Sequence, residues 1–264
     1  MKVGFIGAGR MGAPMVRRLV AAGHQVRALG RTDEKRAAIA ELGAEPASDI
    51  ATVAADAEAV VVCVFTDEQV QQVCQVLPDA MVAGAVLILH TTGSPRTAQT
   101  VAEQHPHLDV LDAPVSGGPH DIAAGHVTLF VGGTDEAFAK ARPALDAYGD
   151  PVLHVGPRGA GQTVKLINNA LFAAQIGVVA EGARIGKSLG VAEADLLAAL
   201  GHGSSSSKVL DMVARTGSAD GFIAAVGEFV GKDVAVVRET AGGLDTDLGL
   251  LDPLLNRVTG MGVA

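Results

Sequence analysis

The sequence predicts an α/β chain in two parts, a doubly wound sheet over residues 1–161 and an all-α domain over 162–264, joined by a long helix. Three observations carry that expectation. Short β-branched or apolar runs alternate with helical patterns from Val3 to Val155, as in parallel sheets whose crossovers are helices. Near residue 160 the pattern changes, and no clear strand follows. The glycines of Gly156 to Gly161 then open an apolar segment that runs to about Leu189, so a loop ends there and a helix begins.

Composition agrees and excludes several roles. A chain of 264 residues can bury a sizeable core, and 48% apolar residues with only 3% aromatics make it a core of Ala, Val, Leu and Gly. There is no aromatic platform for bases, and 29 acidic against 20 basic residues argue against a nucleic-acid partner. Cys63 and Cys74 are too few for a disulfide framework and lack metal-type spacing, so a reduced cytoplasmic setting and no metal are expected. Met1 and Lys2 lead straight into Val3 without a basic-then-apolar leader. The apolar run Ala170 to Ala180 holds Gln175 and meets Glu181 and Arg184, which reads as short of a membrane span.

Val3 to Ile6 is the first strand, Gly7-Ala8-Gly9-Arg10-Met11-Gly12 follows it, and a helical pattern continues through Ala22. Strand, G-x-G-x-x-G and helix in that order are the Rossmann-type dinucleotide signature: tight turn, backbone approach to a pyrophosphate, and close helix packing fall to the three glycines in turn. The second strand, Gln25 to Leu29, ends in Gly30-Arg31-Thr32. An NAD site usually has a carboxylate at that strand end, whereas Arg31 suits a 2′-phosphate, so NADP is favoured over NAD. The competing reading has Asp33 and Glu34, which fit a helix first turn, contact the ribose and leaves Arg31 as a loop arginine.

Further strands are expected at Ala59 to Val64 and Val86 to Leu89, which puts Phe65-Thr66-Asp67 and Thr91 to Pro95 at the crevice beyond their carboxyl ends. Thr92 there either hydrogen-bonds the nicotinamide region or caps the helix starting near Pro95. Val110 to Leu111 ends another strand, and Asp112 to Pro119 follows as a stiff loop with bare amides, able to bind a carboxylate through N–H groups and the Ser116 hydroxyl. Strands at Val127 to Val131 and Val152 to Val155 flank a helix from Thr134 to about Tyr148.

On the long helix Lys165 and Asn169 stand four residues apart and share a face, with Gln162 and Asn168 on adjacent rows. A lysine near a helix N-terminus and in packed surroundings should have its pKa drawn down towards the working pH, as a general acid/base requires. The plain alternative is a surface lysine. Helices follow at Ala192 to Leu200, Ser204 to Ala214, Glu228 to about Ala241 and Asp247 to about Val258.

Together these stretches resemble the β-hydroxyacid dehydrogenase family, which includes 3-hydroxyisobutyrate dehydrogenase, tartronate semialdehyde reductase and the glyoxylate/succinic semialdehyde reductases, with 6-phosphogluconate dehydrogenase as a larger relative. Val3 to Gly12 resembles its cofactor fingerprint, Gly30-Arg31-Thr32 the form of its NADP-preferring members, Asp112 to Gly118 its substrate loop, Gly159 to Asn169 its catalytic motif and Lys232-Asp233 a later helix motif. The resemblance implies that Lys165 is the acid/base, that Asn169 orients substrate, and that Ser116, Gly117 and Gly118 hold its carboxylate beside Thr92 and Asp233. It assigns the cofactor to Gly7, Gly9, Arg10, Met11, Gly12, Arg31, Thr32, Val64, Phe65, Thr66, Thr92 and Lys232, and implies a homodimer. Ala225 stands where the family often has an aromatic residue, and the chain stops soon after Arg257, where relatives usually continue. The reaction implied is hydride transfer between NADP(H) and a small β-hydroxyacid or semialdehyde. Imine reduction is the nearest rival, although such enzymes usually carry Asp or Tyr in place of Lys165; a catalytically silent NADPH-binding protein is the other.

Overall fold

The structure, a computed structural model, describes residues 1–259. Positions 260–264 of the expected second domain lie outside the described residues. Two compact units form, the first Met1–Lys165 and the second beginning at Leu166.

The first unit contains, in order, β1 (Lys2–Ile6), α1 (Gly12–Ala21), β2 (Gln25–Leu29), α2 (Asp33–Glu41), β3 (Glu45–Ala47), α3 (Ile50–Ala54), β4 (Ala59–Val62), α4 (Asp67–Cys74), α5 (Leu77–Ala80), β5 (Val86–Leu89), α6 (Pro95–Gln104), β6 (Asp109–Asp112), β7 (Val115–Ser116), α7 (Pro119–Ala124), β8 (Val127–Gly132), α8 (Asp135–Leu145) and β9 (Gly149–Gly156). The strands form one sheet in the order β3-β2-β1-β4-β5-β6-β8-β7, with β9 on β8. The strand order reverses between β1 and β4, which makes their carboxyl ends the switch point where ligands of such sheets bind.

Why β4 and β5 read as unbroken apolar runs is clear from their surroundings. Every residue of both is buried, because helices cover both faces. Phe5, Val61 and Ile88 pack with Met15, Val16 and Leu19 of α1 on one side; Ile6, Val60, Val62, Leu87 and Leu89 pack with Val70, Val73 and Val101 on the other.

The sheet is parallel only as far as β6. β8 runs antiparallel to β6 and β7, and β9 is parallel to β8. There β7 and β8 form a hairpin bridged by α7, with Ser116 opposite Thr128, which returns β8 against β6.

α9 (Ala160–Ser188) begins in the first unit and continues into the second, followed by α10 (Glu193–Leu200), α11 (Lys208–Thr216), α12 (Ala219–Gly243) and α13 (Leu251–Thr259). The helix expected from Ser204 starts at Lys208, because Ser207 is its cap and accepts from the Leu210 N–H. The helix expected from Glu228 starts at Ala219, capped by Ser218. By length and composition alone α9 is long and apolar enough to cross a membrane, which the run 170–180 had not suggested. Its Ala173, Ala174, Ile176, Ala180 and Ala183 nevertheless lie in the second unit's core with Leu197, Val213, Phe222 and Leu255.

Candidate active site

The turn after β1 separates its three glycines by role. Gly7 has φ +103°, and a Cβ there would lie 2.1 Å from the Cys63 carbonyl oxygen. A Cβ on Gly12 would lie 2.1 Å from the Gly7 oxygen, so only glycine lets α1 close onto the turn. At Gly9 nothing lies within 4 Å: a ligand's pyrophosphate has the room that a side chain would take. α1 has no side-chain cap and no acidic residue in its first turn, which suits an anion at its N–H groups. These residues fit a dinucleotide. Arg10 is exposed and Met11, the N-cap position of α1, is half-buried.

Beyond β2, the Thr32 hydroxyl caps α2 by accepting from the Lys35 N–H at 3.2 Å. Arg36 donates to the Gly30 carbonyl at 2.8 Å and pairs with Asp33. Arg31 is exposed and forms no ion pair among the described residues.

At the crevice the Thr91 hydroxyl accepts from the Val64 N–H and donates to the Val64 carbonyl, both at 3.0 Å, pinning the ends of β4 and β5 together. Thr66 caps α4 reciprocally with Gln69, and Phe65 is 61% exposed. The cap of α6 is Ser94, which accepts from the Arg96 N–H. The alternative in which Thr92 caps that helix is therefore removed.

The loop after β6 differs from the expected run of bare amides. The Gly118 N–H donates to Asp121 Oδ2 at 2.7 Å, the ordinary use of an acid in the first turn of a helix. Gly117 has φ +141°, and a Cβ there would sit 2.8 Å from the same oxygen. The Ser116 hydroxyl forms no hydrogen bond among the described residues. Behind the loop His90 is 2% exposed, with Nδ1 on the Ala113 carbonyl and Nε2 on the Tyr148 hydroxyl at 2.7 Å. Burial pushes its pKa down to about 4, so Nδ1–H donates to Ala113 and Nε2 accepts from Tyr148.

This pair gives stability a pH dependence. The unfolded chain takes up a proton near pH 6.5 that the folded chain refuses until about 4, so stability falls as pH drops through that window, by roughly 3 kcal/mol in all. Burial pushes the Asp112 carboxyl up to about 6, which works in the opposite sense and masks part of the slope. Denaturant titration of His90→Gln isolates the first effect: between pH 6.5 and 4 the native protein loses roughly 3 kcal/mol more than the variant. Parallel curves would assign the acid slope elsewhere.

Lys165 stands in the second turn of α9 and is 9% exposed, the only lysine or arginine classed as buried among the described residues. One turn further along the helix Asn169 is also buried; its Oδ1 accepts from Asn168 at 3.3 Å, and its Nδ2 has no hydrogen-bond partner among the described residues. In the second unit Lys232 and Asp233 of α12 form an ion pair at 3.2 Å. Asp112, at the head of the loop motif, and Gln162, on a row adjacent to Lys165 and Asn169, are buried as well. Asp112 accepts from the Gly159 and Gln162 N–H groups, and the Gln162 carboxamide bridges the Thr91 carbonyl and the Gly93 N–H.

Comparison with known proteins agrees with this geometry. Residues 2–156 match the model of the NAD binding domain of 6-phosphogluconate dehydrogenase, and residues 159–255 match that described as NAD-binding of NADP-dependent 3-hydroxyisobutyrate dehydrogenase. The chain is 36% identical over 191 residues to the 3-hydroxyisobutyrate dehydrogenase of Pseudomonas aeruginosa, covering 70% of this chain and 63% of that one. It is 35% identical over 211 residues to the NAD-dependent L-serine dehydrogenase of the same organism, covering 77% and 70%. The solved structure of Mycobacterium tuberculosis 3-hydroxyisobutyrate dehydrogenase with L-serine superposes with a TM-score of 0.90 at 25% identity, over 98% of this chain and 93% of that one. Two family matches that together span both units, a dinucleotide turn at the switch point and these relatives lead to one conclusion: the chain belongs to the β-hydroxyacid dehydrogenase family of NAD(P)-dependent oxidoreductases.

Proposed function

We propose that this protein interconverts a small β-hydroxyacid and its semialdehyde with NADP(H), using Lys165 as general acid/base. One observation carries the reading. A lysine is rarely buried without a task, and the buried one here stands in the second turn of α9. In the reducing direction Lys165 gives a proton to the carbonyl oxygen, and in the oxidising direction it takes that proton back. The bound nicotinamide supplies or accepts the hydride. Ser116, with its uncommitted hydroxyl, receives the substrate carboxylate together with Gly117 and Gly118. The carboxamide of Asn169, whose Nδ2 is unpartnered among the described residues, orients the substrate, and Thr92, Lys232 and Asp233 take the roles that the family resemblance implies. Relatives named for 3-hydroxyisobutyrate and L-serine support a short substrate bearing both hydroxyl and carboxylate.

The choice of NADP rests on Arg31, exposed at the end of β2, and on Asp33 being engaged with Arg36. The NADP-dependent description of the second family match supports it, while one relative is NAD-dependent. Arg31→Ala should raise the Kd for NADPH about ten- to hundredfold, the worth of a charge-assisted phosphate contact, and leave NADH binding nearly unchanged. Equal losses for the two nucleotides would remove Arg31 from the 2′-phosphate.

A homodimer in the cytoplasm is proposed alongside. Ile167, Leu171, Val178 and Ile185 are 44–55% exposed, and their spacing of four, seven and seven keeps them on one side of α9. Sedimentation velocity at assay concentrations tests this, and a monomer there would refute it.

A further inference from the structure

Lys165 can act only if the start of α9 is held in place, and its first turn is held by side chains far away in the sequence. The Asp112 carboxylate, fully buried at the end of β6, divides its oxygens: Oδ1 accepts from the Gly159 N–H at 2.6 Å and Oδ2 from the Gln162 N–H at 2.7 Å. An anion there also meets the positive end of the helix. Gln162 in turn straddles Thr92, its Nε2 donating to the Thr91 carbonyl at 2.7 Å and its Oε1 accepting from the Gly93 N–H at 3.1 Å. A second carboxylate lies against the same loop. Asp67 Oδ2 accepts from the Thr97 hydroxyl at 2.7 Å, and a Cβ on Gly93 would lie 2.1 Å from Asp67 Oδ1.

The seat is close-fitting on backbone as well. A Cβ on Gly161 would lie 2.4 Å from the Phe130 carbonyl oxygen and 2.7 Å from that of Asp112, and one on Gly132 would lie 2.8 Å from the Gly161 nitrogen. Among Asp67, Thr97, Asp112 and Gln162 the remaining cavity is about 10 Å³, room for about one water. A single water there cannot stand in for both side chains of the pair Asp112 and Gln162. Lys165 follows Gln162 by three residues, a rise of about 4.5 Å along the helix.

We infer that Asp112 is a positioning residue for Lys165, and that Gln162 ties the same helix turn to the Thr92 loop. This rests on the acid/base reading of Lys165. In Asp112→Asn the amide keeps the shape and one acceptor but turns its NH₂ towards the second backbone N–H, donor against donor. The first turn of α9 loosens, and a misplacement of that kind lowers kcat by about 10- to 100-fold with little change in ground-state binding.

The test is to measure kcat, the substrate KM, the Kd for NADPH and amide hydrogen exchange across residues 158–166, for Asp112→Asn and Lys165→Met in parallel. The expected result for Asp112→Asn is a kcat at least about tenfold lower, KM and Kd within about twofold, and faster exchange at Gly159 and Gln162. Unchanged kcat in Asp112→Asn beside a lost kcat in Lys165→Met would overturn this inference and leave the acid/base reading standing. Retained kcat in Lys165→Met would overturn both. Should Asp112→Asn not fold, Gln162→Glu carries the same test, because it sets an oxygen against the Thr91 carbonyl: lower kcat with NADPH affinity retained supports the inference, and unchanged kcat overturns it.

Discussion

Lys165→Met should lower kcat by about 10²- to 10⁴-fold, the usual worth of a positioned acid/base, while the Kd for NADPH stays within about twofold. Methionine keeps an unbranched chain in the buried position and loses only the ammonium, so packing loss is small and the change reports on the proton. KM separates two roles. If Lys165 serves only to bind the substrate carboxylate, KM rises and kcat holds; if it moves a proton, kcat falls and KM changes little. Equal loss of turnover and of NADPH affinity would mean that the side chain supports the nucleotide, and the acid/base assignment would fail.

The second large effect separates two glycines two residues apart. Gly9→Val should leave the folded protein nearly as stable as before, because nothing lies within 4 Å of where its Cβ would sit, yet weaken NADPH binding about tenfold or more by filling the approach to the pyrophosphate. Gly7→Ala should do the reverse in kind. Its φ of +103° and a Cβ 2.1 Å from the Cys63 oxygen strain the backbone and force the end of β4 away, at about 3 kcal/mol or more of stability. Thermal midpoint and nucleotide titration on the two variants check both statements. A Gly9→Val variant that binds NADPH normally would take the pyrophosphate away from this turn.

These glycines were legible because their roles are local: strand, turn and helix are contiguous, and the residues that need the missing Cβ lie nearby or on the neighbouring strand. The same locality made β1, β2 and β5 readable. β3 was missed because Glu45-Pro46-Ala47 is short, polar at one end and carries a proline, tolerable only because it is the edge of the sheet. The reversal at β8 depends on a hairpin whose first strand has two residues, too few for any periodicity. α12 begins ahead of Glu228 because Ser218 caps it, accepting from the Gly221 N–H at 3.1 Å, and a Cβ at Gly221 would crowd that hydroxyl at 2.7 Å. Asp112 was read as part of a substrate loop, yet its partners stand 47 and 50 residues along the chain. A side chain that holds a helix start from another strand leaves no pattern in its own neighbourhood.

The measurement that tests the account most directly is the initial rate of NADPH and of NADH oxidation with short carboxylate-bearing semialdehydes, the matching aldehydes without the carboxylate, and one cyclic imine. The expected result is turnover of a semialdehyde with NADPH, slower turnover with NADH, and a large loss when the carboxylate is absent. Reduction of the imine alone would contradict it, because Lys165 would then have been given the wrong task.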